Sequence, residues 1–379
     1  MDFRFTEEQE MVRDAAKQFA EEKIRPIAAK VDREHFFPAD VVRELGTMGF
    51  MGVAVPEALG GAGLDYVSYV LVLEEISRAC ASTGIIVSVN NSLACHPILT
   101  FGTEEQKQRY LVPLASGKKL GALTMTEPSA GSDPSSIRTT MEDGGDCWIV
   151  NGTKNFCTNG AEADVLIFLG YTDKSKGNKG LTTLIVERDT PGFTIGKLED
   201  KLGIRGSSTA ELVFDGCRIP KTNTLGKVNE GFKVCMVTLD SGRIGVASQA
   251  LGIARAAIED AAQFAKDRCQ FGKPIAENQA IQWMFANMWM EYESARLLTL
   301  RAANLADRGE RYSTEAALAK LKASEAACFC ADRGLQVHGG YGYTSDYRAE
   351  RYYRDARITE IYEGTSEVMR MVISRSVLK

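Results

Sequence analysis

The chain has 379 residues, too many for one ordinary hydrophobic core, so two or three domains are expected. Hydrophobic residues make up 44% and charged residues 25%, an ordinary globular balance. The net charge of −5, with no Lys/Arg-dense tract interleaved with aromatics, argues against a nucleic-acid partner. No run of about 18 uninterrupted apolar residues occurs, so no membrane span is expected. The start, Met1-Asp2-Phe3-Arg4-Phe5, turns acidic at Glu7 and Glu8, unlike a signal or transit peptide, so a cytoplasmic chain is expected. Nine cysteines, an odd count without a C-x-x-C pair, argue against a zinc site or a disulfide framework. Buried free thiols in a reducing compartment are the simpler expectation. His35, His96 and His338 lie far apart, so no metal site is expected.

The first third reads as helices. Thr6-x-x-Gln9 is a capping-box pattern, and Met11, Val12, Ala15, Phe19, Ile24, Ile27 and Val31 follow at roughly helical spacing. Further helices are expected over Pro38–Met48, Tyr66–Arg78, Ser82–Thr100 and Glu104–Ala115, with a turn cluster at Gly60-Gly61-Ala62-Gly63. From about Lys119 the texture changes. Short runs such as Trp148–Val150, Val165–Leu169, Thr182–Val186 and Leu212–Phe214 alternate with Gly, Asn and Asp. Their spacing points to an antiparallel sheet or small barrel rather than βαβ units. After Gly226 the helical period returns over Phe232–Ala265, Ile275–Arg308, Ser313–Val337 and a last helix from about Thr365. The expected domains are 1–118 (helical), 119–226 (β) and 227–379 (helical bundle).

The segment Ile361-Tyr362-Glu363-Gly364-Thr365-Ser366-Glu367 is the most informative. Glycine lets a backbone turn a tight corner close to a ligand. A carboxylate aimed from such a corner into a dry cleft is tuned to take a proton from carbon. A capped helix start with a surface Glu is the plainer reading of the same residues. Thr126–Asp133 is a donor-rich loop of Gly, Ser and Pro that suits a cofactor's polar edge, or is simply a turn. Arg268 and Phe271 precede Gly272 in an expected interhelical turn. An arginine fork binds pyrophosphate well, although most exposed arginines are merely solvated. Gly339-Gly340 removes side chains where a phosphate must approach backbone N–H groups. Asp240-Ser241-Gly242-Arg243 lies inside the Phe232–Ala265 stretch and marks a possible break in it, where Asp would serve as a cap.

Several spaced segments together resemble the acyl-CoA dehydrogenases. They are Leu123-Thr124-Met125-Thr126-Glu127-Pro128-Ser129-Ala130-Gly131-Ser132-Asp133, Asn151-Gly152-Thr153-Lys154, Asp200–Ser207, Arg268–Gly272, Gln336–Gly340, Tyr353–Arg357 and the Glu363 corner. The likeness is nearest to the short-chain (butyryl-CoA) branch. It implies an α+β multidomain fold: an N-terminal α-helical domain, a middle antiparallel β-barrel domain and a C-terminal four-helix bundle. It also implies FAD, although the sequence lacks G-x-G-x-x-G. By this resemblance Leu123, Met125, Thr126, Gly131 and Ser132 lie along the flavin, and Ser132 also touches acyl-CoA. Phe156 stands where the family has tryptophan and packs on the flavin ring, while Thr158 bonds its reactive edge. Arg268, Phe271, Gln279, Gln336, Val337, Gly339 and Gly340 serve its diphosphate and adenosine, some of them from a neighbouring subunit. Thr365 and Glu367 also belong to the cofactor site. Asp240, Arg243, Tyr362 and Gly364 contact acyl-CoA.

The implied reaction removes the α-proton with Glu363 and passes the β-hydrogen as hydride to flavin N5, giving a trans-2-enoyl-CoA. The Glu363 N–H and a ribityl hydroxyl would polarise the thioester carbonyl. Gly242 occupies the place where isovaleryl-CoA dehydrogenases carry their base. Thr83-Gly84-Ile85-Ile86 has no cation where glutaryl-CoA dehydrogenases carry an arginine, which disfavours a dicarboxylic substrate. Ser88–Ile98 is expected along the acyl pocket, where His96 is unusual; a satisfied helix-end histidine is its plainer reading. Electron-transfer flavoprotein and a homotetramer are the implied partners. The alternatives are an enoyl-CoA reductase working with electron-transfer flavoprotein, a cyclic or aryl acyl substrate, a flavin-dependent oxidase, and a non-catalytic acyl-CoA or flavin binding protein.

Overall fold

In the computed structural model, which describes residues 4–378, the expected capping box forms. Met1–Phe3, part of the start read against a targeting peptide, lie outside the described residues. The Thr6 hydroxyl accepts from the Gln9 N–H, and the Gln9 side chain accepts from the Thr6 N–H, opening α1 (Glu7–Phe19). Helical backbone continues to Arg33. Phe19, Ile24 and Val31 are buried as their spacing requires, but Met11 points to solvent. Val12, Ala15 and Ala16 take the inner face of α1, and Met11 falls outside that stripe.

Then come α2 (Ala39–Thr47) and α3 (Tyr66–Ala79), the latter capped by Asp65, whose carboxylate accepts from the Ser68 N–H. Next, α4 (Ala81–Phe101) widens into a π-helix over Val89–Cys95. Its length and mean hydropathy of 1.2 would suit a membrane crossing, yet most of it is buried within the fold as a core helix. Asn90 explains part of that placement. Its amide donates to the Met51 and Leu114 carbonyls, and its carbonyl accepts from the Gly121 N–H, joining the helical part to the sheet. Residues 104–115 form the last helical stretch before the sheet, opened by a second capping box at Thr103 and Gln106.

The sheet comprises β1 (Gly121–Thr124), β2 (Thr140–Asp143), β3 (Cys147–Thr158), β4 (Val165–Tyr171), β5 (Leu181–Glu187), β6 (Phe193–Leu198), β7 (Thr209–Pro220) and β8 (Thr224–Leu225). Its path runs β6-β7-β3-β2-β4-β5-β8, with β1 beside β4. The expectation of purely antiparallel pairing is corrected at β4, which takes both β1 and β2 in parallel. The chain reaches β1 from the helical part, so β1 enters β4's neighbourhood by a long connection rather than a hairpin.

A single helix, α5 (Gly231–Asp267), runs unbroken through Asp240–Arg243, so no break or cap lies there. Asp240 and Arg243 form an i,i+3 ion pair (2.7 Å) on its side instead. The expected interhelical turn at Arg268 is a two-stranded hairpin, β9 (Cys269–Gln270) and β10 (Lys273–Pro274). Phe271 and Gly272 between them have φ of 53° and 82°, as a two-residue primed turn requires. Two long helices, α6 (Gln279–Asp307) and α7 (Ser313–His338), pack with α5. Two shorter ones, α8 (Ala349–Ile358) and α9 (Ser366–Val377), lie against α7. Seven cysteines are buried free thiols, but Cys269 in the hairpin is exposed and Cys328 half-buried, which corrects the expectation for those two.

Candidate active site

The corner between α8 and α9 places two consecutive residues at positive φ, Glu363 at 51° and Gly364 at 100°. For a glutamate this backbone is costly and must be held by its surroundings. Three contacts hold it. Buried Lys320 on α7 donates to the Gly364 carbonyl (2.7 Å). The Tyr362 hydroxyl donates to the Gln249 side chain on α5. The Thr365 hydroxyl caps α9 by accepting from the Val368 N–H.

Glu363 thereby points at Gly242 on α5. A Cβ there would fall 2.0 Å from Glu363 Oε2 and 2.8 Å from Leu93 Cδ2, so the glycine makes the room the carboxyl occupies. Glu363 Oε2 is shielded from solvent and has no hydrogen-bond partner. Burial raises the Glu363 pKa to about 7 against the opposing pull of Lys320 and Arg243. Burial likewise takes Lys320 down to about 8. Arg243 donates to Asp240, which also accepts from the Ser313 hydroxyl, while Arg243 Nε remains buried and unpaired. The result is a half-buried carboxyl with one shielded, unpartnered oxygen, titrating near neutrality: a group built to accept or give a proton.

Beside this corner lies a small cavity of about 20 Å³, bordered by Tyr66, Tyr69, Asn91, Ser92, His96 and Ser241. Thus the part of Ser88–Ile98 that faces open space is Asn91, Ser92 and His96, whereas Asn90 is spent on structure.

Leu123, in β1, packs against the core that includes Leu93. From there Met125 and Thr126 run beside β3: the Met125 carbonyl accepts from Lys154 Nζ (3.1 Å) and that of Thr126 from the Asn155 N–H (2.8 Å). Lys154 also pairs with Glu127 (2.9 Å) out of contact with solvent. Burial pushes the Glu127 carboxyl upward, but Lys154, Thr139 and the Arg138 N–H outweigh it and hold it below its usual range. This buried pair shapes the loop that carries Gly131 and Ser132 to the surface. On β3, Thr158 is half-buried, and Phe156 is 60% exposed at a φ of 55°, presenting its ring outward.

A second group lies elsewhere. Arg268, Val337, Gly339 and Gly340 border a cleft of about 500 Å³ with Phe264 and Tyr341. The Arg268 guanidinium sits 5.3 Å from the Tyr341 ring centroid. Phe271 is fully exposed, and Gln279 and Gln336 face solvent nearby. A Cβ on Gly272, Gly339 or Gly340 would meet nothing, so ligand atoms could approach these backbones freely. Along α5, residues 243 and 268 are roughly 37 Å apart at the usual helical rise. The expected site residues therefore divide between two separated places. Glu367, on the exposed side of α9, joins neither group through a contact with the cavity or the cleft. Lys320 and Gln249 were not anticipated. The one available signal was a lysine at a small-residue face of α7, among Ala316, Ala319 and Ala323.

Family models for the acyl-CoA dehydrogenase N-terminal, middle and C-terminal domains match residues 6–118, 122–217 and 229–378. The chain belongs to the acyl-CoA dehydrogenase family. It is 52% identical to the mitochondrial short-chain specific acyl-CoA dehydrogenase of Mus musculus over 373 residues, 98% of this chain and 90% of that one. It superimposes on butyryl-CoA dehydrogenase from Megasphaera elsdenii with a TM-score of 0.99 at 45% identity, covering 100% of both chains. A chain in a structure described as the electron transferring flavoprotein of Acidaminococcus fermentans, towards a mechanism of flavin-based electron bifurcation, matches with a TM-score of 0.99 at 50% identity, again over 100% of both. Acyl-CoA dehydrogenases of this kind are FAD flavoproteins and oxidoreductases, and this chain has their three-part fold.

Proposed function

We propose that this acyl-CoA dehydrogenase oxidises a short-chain acyl-CoA at its α and β carbons, with Glu363 as the base. One observation carries the assignment: Glu363 Oε2 is shielded and unpartnered against Gly242, on a carboxyl poised near pH 7. A thioester α-carbon seated against Glu363 Oε2 would lose its proton to that oxygen. Entry of the thioester would exclude the remaining water and favour the transfer. Arg243 and Lys320 keep positive charge near the corner as the carboxylate is consumed. The small size of the adjoining cavity supports a short acyl chain.

FAD, when bound, supplies the acceptor for the β-hydrogen. The residues present fit it. Phe156 offers an exposed aromatic face and Thr158 a hydroxyl beside it. Leu123, Met125, Thr126, Gly131 and Ser132 form a neighbouring polar edge, with Thr365 and Glu367 at the start of α9. Arg268 and the open glycine backbones of 339 and 340 suit a diphosphate, with Phe271, Gln279, Gln336 and Val337 around them. Asp240, Arg243, Tyr362, Gly364 and Ser132 would meet the acyl-CoA.

The distance between the two groups supports a homotetramer in which one subunit's Arg268 cleft completes another's cofactor site. So does an exposed stripe of Trp283, Met290 and Leu297, seven residues apart along α6. Electron-transfer flavoprotein is the proposed electron acceptor, supported by the Acidaminococcus fermentans likeness. The domain division at 118/119 and 226/227 and a cytoplasmic setting belong to the same reading; buried free thiols suit a reducing compartment.

Anaerobic titration of the purified yellow protein with butyryl-CoA and longer, branched, cyclic and aryl acyl-CoAs tests the proposal. Bleaching by butyryl-CoA at the lowest concentration is expected. Bleaching by none of them would leave a binding protein.

A further inference from the structure

We propose that the acyl pocket ends in a polar subsite where His96 hydrogen-bonds an uncharged oxygen, hydroxyl or carbonyl, at the far end of the acyl chain. This rests on the acyl-CoA dehydrogenase reading and narrows its substrate class. His96 begins the last stretch of α4, after the π-helical turn, and borders the cavity beside the Glu363 corner. Its Nδ1 lies 2.8 Å from the Tyr66 hydroxyl, which lies 3.3 Å from the Ser241 hydroxyl. Its Nε2 is shielded from solvent and has no partner. Buried polar atoms are seldom left unpaired, and an exception calls for a group to pair it.

The other polar groups around the cavity are engaged. The Asn91 amide donates to the Phe50 and Val87 carbonyls and its oxygen accepts from the Val53 N–H. The Ser92 hydroxyl donates to the Ser88 carbonyl, and that of Tyr69 pairs with the Ser88 hydroxyl. Among the side chains bordering the cavity, His96 Nε2 is thus the shielded polar atom without a partner.

Geometry places that occupant at a chain end. Ser241 directly precedes Gly242, and Ser92 precedes Leu93; Gly242 and Leu93 both border the Glu363 carboxyl. The cavity, about 20 Å³, has room for roughly one small group. Charge selects its chemistry. Burial takes His96 down to about 4, so the imidazole is neutral at pH 7 and offers no cation to a carboxylate. A plain methyl terminus would leave Nε2 unsatisfied, whereas a hydroxyl or carbonyl oxygen would satisfy it.

The test uses the FAD-loaded enzyme and thioester pairs that differ only by OH in place of CH3: 4-hydroxybutyryl-CoA with pentanoyl-CoA, and 5-hydroxypentanoyl-CoA with hexanoyl-CoA. Butyryl-CoA is the reference. Calorimetric Kd and kcat/KM are both read. In at least one pair the hydroxylated member is expected to be favoured about tenfold, the scale of one net hydrogen bond. His96→Leu should remove that preference, and His96→Gln should keep part of it. The comparison within the unsubstituted enzyme stands even if a variant fails to fold. Bleaching by butyryl-CoA with the alkyl member favoured in both pairs overturns the subsite alone. So does a preference that survives His96→Leu. Failure of every thioester to bleach the flavin overturns the underlying reading as well.

Discussion

Ionising Glu363 costs the fold stability. Its folded pKa, about 7, lies above the ordinary 4.5 because burial disfavours the carboxylate. The folded state therefore binds this proton more tightly than the unfolded state. The stability it contributes is fully present below about pH 4.5 and is lost as pH rises through about 7, a difference of about 3 kcal/mol. Glu363→Gln should thus raise Tm over the parent at pH 8, with the gap closing toward pH 4.5. A gap that does not change with pH would contradict the burial argument. The identity of this residue was legible in the sequence, since a carboxylate beside glycine ahead of a helix cap is a local pattern. Its orphaned oxygen was not, because that depends on Gly242, more than 100 residues away in the chain. Lys320 was missed for the same reason: its partner is a backbone carbonyl on another element.

The helix α8 shows how a recognised motif can serve the frame. Arg354 donates to both oxygens of Asp32 near the N-terminus (2.9 and 2.6 Å), to Glu350, and to the Leu202 carbonyl (3.1 Å). The neighbouring Asp355 accepts from the Ile204 N–H (2.6 Å), fixing a non-glycine residue at a φ of 45°. The Asp200–Ser207 and Tyr353–Arg357 segments thus tie the N-terminal helices, the sheet and the bundle together. Arg354→Ala would strand Asp32 without its partner and should cost about 3 kcal/mol or more in urea unfolding. A cost within experimental error of zero would mean that solvent replaces the contact. Long amphipathic helices and the β-branched core strands were legible, because burial imposes a period on them. β2 and β6 were not: both are short, and β6 is largely exposed, so no buried face writes a pattern. Helix α8 was hidden by five charged residues in ten, of which Arg351 and Asp355 are buried.

Across the whole molecule, the change of texture near residues 119 and 226 was enough to lay out the helical, β and helical parts. It could not reveal that the Arg268 cleft and the Glu363 corner stand roughly 37 Å apart along α5. That separation makes assembly testable. Replacing Trp283 and Met290 together by Glu places two charges in the exposed α6 stripe, and charge is strongly disfavoured in an apolar interface. Light scattering should then report species smaller than a tetramer, and flavin should be lost with assembly. A double variant that stays assembled and yellow would remove α6 from the interface.

The most direct test of Glu363 is exchange of the butyryl-CoA α-proton with solvent deuterium, followed by mass spectrometry under anaerobic conditions. The parent enzyme should catalyse the exchange. Glu363→Gln, with flavin content retained, should slow it by at least about two decades. Exchange at the parental rate in that variant would show that another group takes the proton.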